Sequence, residues 1–374
     1  MDALRYYDQS HWAEMPHYFK YSLLGAGTTI GIADTPAIPL GSWVLVTGIN
    51  GLVGSHVADQ LLAHGYRVRG TVRDSQRCQW VRTLFHRKYG DEAFQLVQIE
   101  DQLRPGVSGI AHVATILEDP EDPNELFAAI NKSDCNILAS AAAESNVKRF
   151  VYTSSAQAAT SISFDEPVDK PVTSESWNEF SIQRAQTRSL SDPKRYFHVY
   201  SASKVFGERG VWDWVERHKP GFVTNTVLPS VSFGASLDPE HQGHPSTSIW
   251  PAAIFKNEPE SVHSYINSTT PIGGYCVGLE DVGLLHVASL SNPTVHNERL
   301  FVFGIPFLWP DFMAALRKLF PGRDFPDGFY GESKEVTLLD VESNRRCEEL
   351  LKEMGKSGWS SLEEMLMANV SGLV

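Results

Sequence analysis

The sequence predicts an α/β fold, a doubly wound parallel sheet followed by a smaller C-terminal lobe. From residue 43 onward, short apolar runs alternate with segments of helical period. A glycine-rich turn joins the first run to the first helix, and after Ser230 the texture loosens into a Pro/Gly/Ser-rich stretch. Parallel neighbours need crossover connections, and helices between successive strands supply them.

The elements follow in order. "WVLVTG" (43–48) reads as a buried strand, and "LVGSHVADQLLAHG" carries apolar residues at helical spacing and stops at Gly65, a C-cap glycine. "YRVRGTV" is a second strand, followed by a helix around 75–89 and the strands "FQLVQI" and "GIAHVA" (109–114). A helix over 124–145 leads to the strand "RFVYTSS". The helix containing Tyr200 runs to His218, and "FVTNTVLP" is the next buried strand. Beyond Ser230, "SFGASLDPEHQGHPSTSIWP" reads as a binding loop; the helix "EDVGLLHVASL", the strand "RLFVFG" and a C-terminal helical stretch complete the chain.

Composition narrows the function classes. A chain of 374 residues with 42% hydrophobic content buries a large core. A net charge of -13 argues against a nucleic-acid or anionic-membrane surface, so a small-molecule partner is expected. Cys78, Cys135, Cys276 and Cys347 lie far apart, which suggests neither a zinc site nor a disulfide framework and fits reduced thiols in the cytoplasm. No run approaches the ~18 apolar residues of a membrane span. "YSLLGAGTTIGIA" (21–33) is short of leucine and lacks the basic segment of a signal peptide. "EHQGH" brings Glu240, His241 and His244 together, but in a loop that does not align ligands, so no metal is expected.

"VTGINGLVGSH" places Gly48, Gly51 and Gly54 between a strand and a helix. Glycine permits the tight turn and the close approach of a pyrophosphate. Leu52, Val53 and Gly54 then open a helix whose N-terminus favours the anion. At the end of the second strand stand Val72 and Arg73, where a site preferring a free ribose 2′-hydroxyl would hold an acid; a guanidinium there suits a 2′-phosphate, hence NADPH/NADP+.

"FVYTSSAQ" ends the fifth strand at Ser154 and Ser155, on the carboxyl edge where open α/β sheets bind ligands. In "VYSASKVFGE", Tyr200 and Lys204 stand four apart and share a helix face. A phenol with an ordinary pKa near 10 needs a nearby cation to serve as an acid-base group, and Lys204 is that cation.

Taken together, "VLVTGINGLVGSHVADQLLAHGYRVRGTVRD", "AHVAT", "RFVYTSSA", "VYSASKVFGE" and "VLPSVSFG" resemble the extended short-chain dehydrogenase/reductase family in its dihydroflavonol-reductase-like branch, with particular likeness to fungal NADPH-dependent aldehyde and ketone reductases. The resemblance spans about residues 41–355. It implies a Rossmann sheet, NADPH, a catalytic set of Ser155, Tyr200 and Lys204, and reduction of a small-molecule carbonyl. Lys204 would also hold the ribose, His112 and Ala114 would flank the adenosine, and Pro229 and Ser232 would lie near the nicotinamide. The implied layout is an N-terminal extension over 1–40, loosely ordered, a dinucleotide-binding domain over 41–229, and a mainly substrate-binding lobe over 230–374 with segments returning to the first domain. A cytoplasmic monomer or homodimer is expected.

Three departures stand out. The crossover between "LVQIED" and "GVSGIAH" is short, Ser133-Asp134 replaces the family's frequent Gly-Thr, and the extension has no counterpart. Sugar-nucleotide epimerases and dehydratases share the scaffold, but dehydratases place an Asp-Glu pair where Ala156 and Gln157 stand, and epimerases often carry a Tyr-Gly that "AQAATS" lacks. A non-catalytic dinucleotide sensor would usually lack the tyrosine. The loops carry Trp177, Phe180, Phe197, Phe233, Trp250 and Tyr265; such rings are often core, and if several line the cleft they suit an apolar or aromatic carbonyl better than a charged sugar nucleotide.

Overall fold

The structure is a computed structural model and describes residues 35–99, 106–160, 171–187, 189, 191–192, 194–258, 260, 273–327 and 342–374. Seven parallel strands form the main sheet in the order β3-β2-β1-β4-β5-β6-β9: β1 Trp43–Thr47, β2 Arg67–Val72, β3 Phe94–Gln98, β4 Val107–His112, β5 Arg149–Thr153, β6 Val223–Pro229 and β9 Arg299–Val302. Alternation along β1 sends its side chains to two cores. Val44 and Val46 meet Val57 and Leu61 of α1 (Leu52–Ala63), Val282 and Leu285 of α7 (Leu279–Ser291), and Leu350 of α9 (Glu342–Glu353). Leu45 faces the opposite way, with Ile110, Phe150 and Tyr152, onto Leu138 of α3 (Pro123–Ala143) and Val211 and Trp214 of α5 (Arg195–His218). Strands buried on both faces explain why these segments read as continuous apolar runs.

Local chemistry sets the helix ends. Asp122 caps α3 by accepting the Asn124 N–H, with Pro123 at the first helical position. The helix expected from residue 75 instead begins as α2 (Gln79–Tyr89), because Asp74 Oδ1 accepts the N–H groups of Gln76 and Arg77 at 3.0 Å and holds 74–77 in a turn. Residues 35–40 also differ from a loose extension. The Ala37 N–H donates to Ser291 O at 2.7 Å and Ile38 is fully buried, so this part of the expected extension packs on the main fold. The rest of the extension lies outside the described residues. The short crossover lies between β3 and β4 in residues 99–106, of which 100–105 are not described.

A second sheet, β10-β8-β7, gathers Val231–Phe233 (β7), Gly273–Gly278 (β8) and Ile305–Leu308 (β10). It packs Phe233, Trp250, Phe307, Trp309 and Phe312 into a separate aromatic core with α6 (Ile249–Phe255), α8 (Trp309–Leu319) and α10 (Leu362–Val370). The segment after Ser230 therefore builds this lobe and also gives β9, α7 and α9 to the main sheet. One further helix, α4 (Glu179–Thr187), packs on α5.

Candidate active site

Gly48 ends β1 at φ +66°, where a Cβ would sit 3.0 Å from Ala114 Cα, so Ala114 lies directly on the glycine turn. A Cβ on Gly54 would come within 2.3 Å of Gly48 O, so only glycine lets α1 close onto the strand end. Gly51 is the N-cap of α1, with no side-chain cap and no acidic residue in the first turn. The opening N–H groups, Leu52 to Gly54, therefore face outward without an intrahelical partner. These features fit an anionic pyrophosphate.

Arg73 and Arg77 are exposed beyond β2. The loop carrying them is pinned to the end of β3, since the Ser75 N–H and hydroxyl both donate to Gln98 Oε1 at 3.1 and 3.0 Å. Above the glycine turn runs a strap the sequence did not reveal. Gln242 Nε2 donates to Ser55 Oγ at 2.9 Å, Gly51 O at 3.2 Å and Asn50 O at 3.4 Å. His241 stacks on Trp80 and hydrogen-bonds Asp238. The "EHQGH" loop thus braces the turn, and among the described residues no cluster of three or more His, Cys, Asp or Glu is placed to hold a metal ion.

At the end of β5, Ser155 Oγ accepts the Gln157 N–H at 3.2 Å, and the hydroxyl lies near enough to the Tyr200 phenol to pull its pKa down. Lys204, one helical turn later, has its Nζ 6.0 Å from the Tyr200 ring centroid and donates to Thr153 O at 3.3 Å. The three residues expected at one site therefore meet there. Their electrostatics differ from expectation: burial pushes the Tyr200 phenol above its ordinary pKa, outweighing the lowering by the Ser155 hydrogen bond. Burial also brings Lys204 down to about 8, against the opposing pull of Asp134 and Glu208. Tyr200 is thus a neutral phenol at pH 7, ready to donate a proton.

The buried surroundings keep this geometry. Thr153 Oγ1 lies 2.8 Å from His286 Nε2, whose other nitrogen lies 2.7 Å from Val282 O. Arg195, at the start of α5, pairs with Asp119 and donates to Pro120 O at 2.8 Å and Glu121 O at 3.0 Å, which ties the loop after β4 to the Tyr200 helix. Ser154 is structural, donating to Glu208 Oε2 at 2.7 Å. Glu208 is fully buried, and its Oε1 also accepts from Thr226 and from Arg299 Nε, each at 2.8 Å.

The remaining expected positions fall as follows. His112 is buried, with Nδ1 at 2.8 Å from Thr47 Oγ1 and Nε2 at 3.0 Å from Asp134 Oδ1, so its ring is committed to the interior. Pro229 ends β6. Ser232 is buried in β7, its hydroxyl donating to Ser230 O at 3.0 Å. Of the two readings open for the aromatics, core or cleft, the first holds for most. Phe233 and Trp250 are lobe core, Phe197 is buried, and Trp177 lies under the Arg299 guanidinium, 3.9 Å from its ring centroid. Phe180 packs edge-on against His198, and Tyr265 lies outside the described residues. Large rings were better spent on filling the second core than on lining an opening.

A seven-stranded parallel sheet with a glycine turn at its first βα junction and a serine, tyrosine and lysine at its carboxyl edge defines a Rossmann-like dinucleotide-binding architecture. The chain belongs to the NAD dependent epimerase/dehydratase family, whose model matches residues 44–264. It is 34% identical over 347 residues to aldehyde reductase 2 of Sporidiobolus salmonicolor, covering 89% of this chain and 96% of that protein. Ketoreductase nvfG of Aspergillus novofumigatus is 32% identical over 345 residues, covering 89% and 97%. The fold is similar to that of Gre2 from Candida albicans, solved in complex with NADPH, with a TM-score of 0.70 at 22% identity over 89% of this chain and 98% of that one.

Proposed function

We propose that this protein is an NADPH-dependent reductase that converts a ketone or aldehyde on an apolar or aromatic small molecule to an alcohol, in secondary metabolism. The observation that carries the reading is that Ser155 and Tyr200 come together at the end of β5, with the Lys204 ammonium 6.0 Å from the Tyr200 ring centroid. Bound NADPH supplies the hydride. The Tyr200 hydroxyl donates its proton to the carbonyl oxygen as negative charge develops there, and the Ser155 hydroxyl orients and polarises that oxygen. Lys204 places positive charge beside the phenolate left on Tyr200, and reaches the ribose. The α1 N-terminus receives the pyrophosphate and Arg73 the 2′-phosphate.

Two relatives named aldehyde reductase and ketoreductase, matched over nearly their whole length, support the carbonyl as substrate. On the same reading residues 41–229 bind the dinucleotide with His112 and Ala114 flanking its adenosine, and the later lobe meets the substrate, with Pro229 and Ser232 near the nicotinamide. Among the described residues no helix is long and apolar enough to cross a membrane. With four free cysteines, two of them buried, a reducing cytoplasm is the setting proposed, for a monomer or homodimer.

The test follows reduced-nicotinamide absorbance with NADPH and NADH across a panel of ketones and aldehydes. Turnover with NADPH that falls at least about 100-fold in Tyr200→Phe is expected, since a positioned acid contributes about 10²–10⁴. Unchanged turnover in Tyr200→Phe refutes the mechanism, and NADH preference refutes the role given to Arg73.

A further inference from the structure

Lys204 on α5 turns its ammonium to the end of β5, and the polar and charged groups on this side of α5 come from four elements. On α5 itself are Tyr200, and Glu208 one turn on; β5 presents Thr153 O and the Tyr152 phenol; α3 presents Asp134; and β4 stands behind Asp134 with His112. Of the two acids, Glu208 is already balanced: Arg299 Nε donates to it at 2.8 Å, and both side chains are buried. Asp134 differs. Its side chain is buried, and among the described residues no lysine or arginine lies within ion-pairing distance of it.

The hydrogen bonds around Asp134 define which way its two oxygens face. Thr47 Oγ1 accepts the N–H groups of Val113 and Ala114, each at 3.0 Å, which leaves its own proton for His112 Nδ1 at 2.8 Å. The ring is therefore the neutral Nε2–H tautomer, and it donates to Asp134 Oδ1 at 3.0 Å. A neutral donor steers the carboxylate without cancelling its charge. The other oxygen, Oδ2, is buried without a hydrogen-bond partner and points at α5: a Cβ on Gly207 would stand 3.3 Å from it and 2.3 Å from the Tyr152 hydroxyl. Gly207 is three residues after Lys204, on the same helix face. Oδ2 thus lies beside the Tyr152 phenol at the Gly207 stretch of α5, and the buried cation on which the Asp134 charge acts is Lys204, about one helical turn earlier. The same field bears on Tyr152, whose phenol is raised well above its ordinary pKa, first by burial and then by Asp134.

We propose that Asp134 is a positioning residue for the reaction: held by the Thr47–His112 pair, it keeps the Lys204 ammonium, seated on the Thr153 carbonyl, charged beside Tyr200. The assignment rests on the reductase reading only in the role given to Tyr200. The electrostatic claim stands on α3, β4 and α5 alone. Burial already brings Lys204 down to about 8, so without Asp134 it would lose its proton near neutral pH, where the phenolate needs it.

The experiment uses the full chain with ¹³Cε-labelled lysine. The Lys204 resonance is assigned by its loss in Lys204→Met and titrated in wild type, Asp134→Asn and Asp134→Thr. Asparagine keeps the acceptor for His112 and removes the charge; threonine offers a hydroxyl acceptor should asparagine fail to fold. The Lys204 midpoint is expected to fall by about one pH unit or more in a neutral variant. The alkaline limb of kcat is expected to move to lower pH by the same amount. A midpoint that does not move overturns the inference, as does a loss of activity uniform across pH. If no protein turns over any carbonyl, the reductase reading fails alone, and the resonance still decides for or against Asp134.

Discussion

Replacing Gly54 with alanine sets two opposed effects of known sign against each other. In an exposed helix interior, Gly→Ala stabilises by about 1 kcal/mol. Here the added Cβ would lie 2.3 Å from Gly48 O and 2.9 Å from Gly48 C, whereas real Cβ contacts essentially never fall below 3.0 Å. The shortfall to Gly48 O is 3.0 − 2.3 = 0.7 Å at least, and both partners are backbone, so no rotamer change relieves it. Either the turn or the first turn of α1 must retreat, at an overpacking cost of about 1–3 kcal/mol. The retreat also moves the N–H groups of Leu52 to Gly54 away from the anion. Losing one hydrogen bond to a charged group costs about 1.5–3 kcal/mol, or about 10–100-fold in affinity. We therefore expect Gly54→Ala to lower the urea midpoint and to weaken NADPH binding by at least about 10-fold, read by quenching of tryptophan fluorescence. Gly51→Ala is the control, because its Cβ would stand 3.3 Å from Gly48 O. A Gly54→Ala protein as stable as wild type, with unchanged affinity, would show that the close approach of helix and strand is not what builds the anion site.

Arg73→Ala should raise KM for NADPH by about 10–100-fold and leave NADH kinetics unchanged, since a charge-assisted pair with a 2′-phosphate is worth about 1.5–3 kcal/mol. An equal loss with both cofactors would place Arg73 elsewhere. Glu208→Ala should destabilise the fold by about 3–5 kcal/mol, because it leaves the buried Arg299 guanidinium uncompensated and strips Ser154 and Thr226 of their acceptor. Equilibrium urea unfolding measures this, and a loss below about 1 kcal/mol would mean that water reaches the pair.

What was legible in the sequence is what local spacing encodes. Gly48, Gly51 and Gly54 are read within one turn, and Tyr200 and Lys204 within one helical step, so both features emerge before any tertiary contact is known. Apolar runs of strand length likewise placed all seven strands of the main sheet. The residues whose roles escaped notice work at long range. Gln242 reaches the glycine turn across 187 positions to Ser55, and Asp134 meets His112 from a helix 22 positions on. Neither residue type announces such a role, since a glutamine in a Pro/Gly loop and an aspartate in a helix are ordinarily solvated. The aromatics stayed open for a related reason: ring content in a loose segment signals a buried surface but not which one, and here a second small sheet took Phe233 and Trp250 into its core.

The spacing of α5 against β5 explains why the site tolerates so few arrangements. Tyr200, Lys204 and Glu208 recur at four-residue steps, about 6 Å apart along the helix axis. Each meets a different group at the strand end: Ser155, the Thr153 carbonyl and Ser154 respectively. Two of these contacts belong to the proposed chemistry, and the third is a buried structural link that continues through Arg299 to β9. Sliding the helix by one turn would pair Glu208 with the wrong group and leave Arg299 without its carboxylate, a cost of several kcal/mol. The register that brings the phenol to its serine is therefore enforced by a residue that never touches substrate, which is why two adjacent serines, identical in the sequence, have unlike tasks.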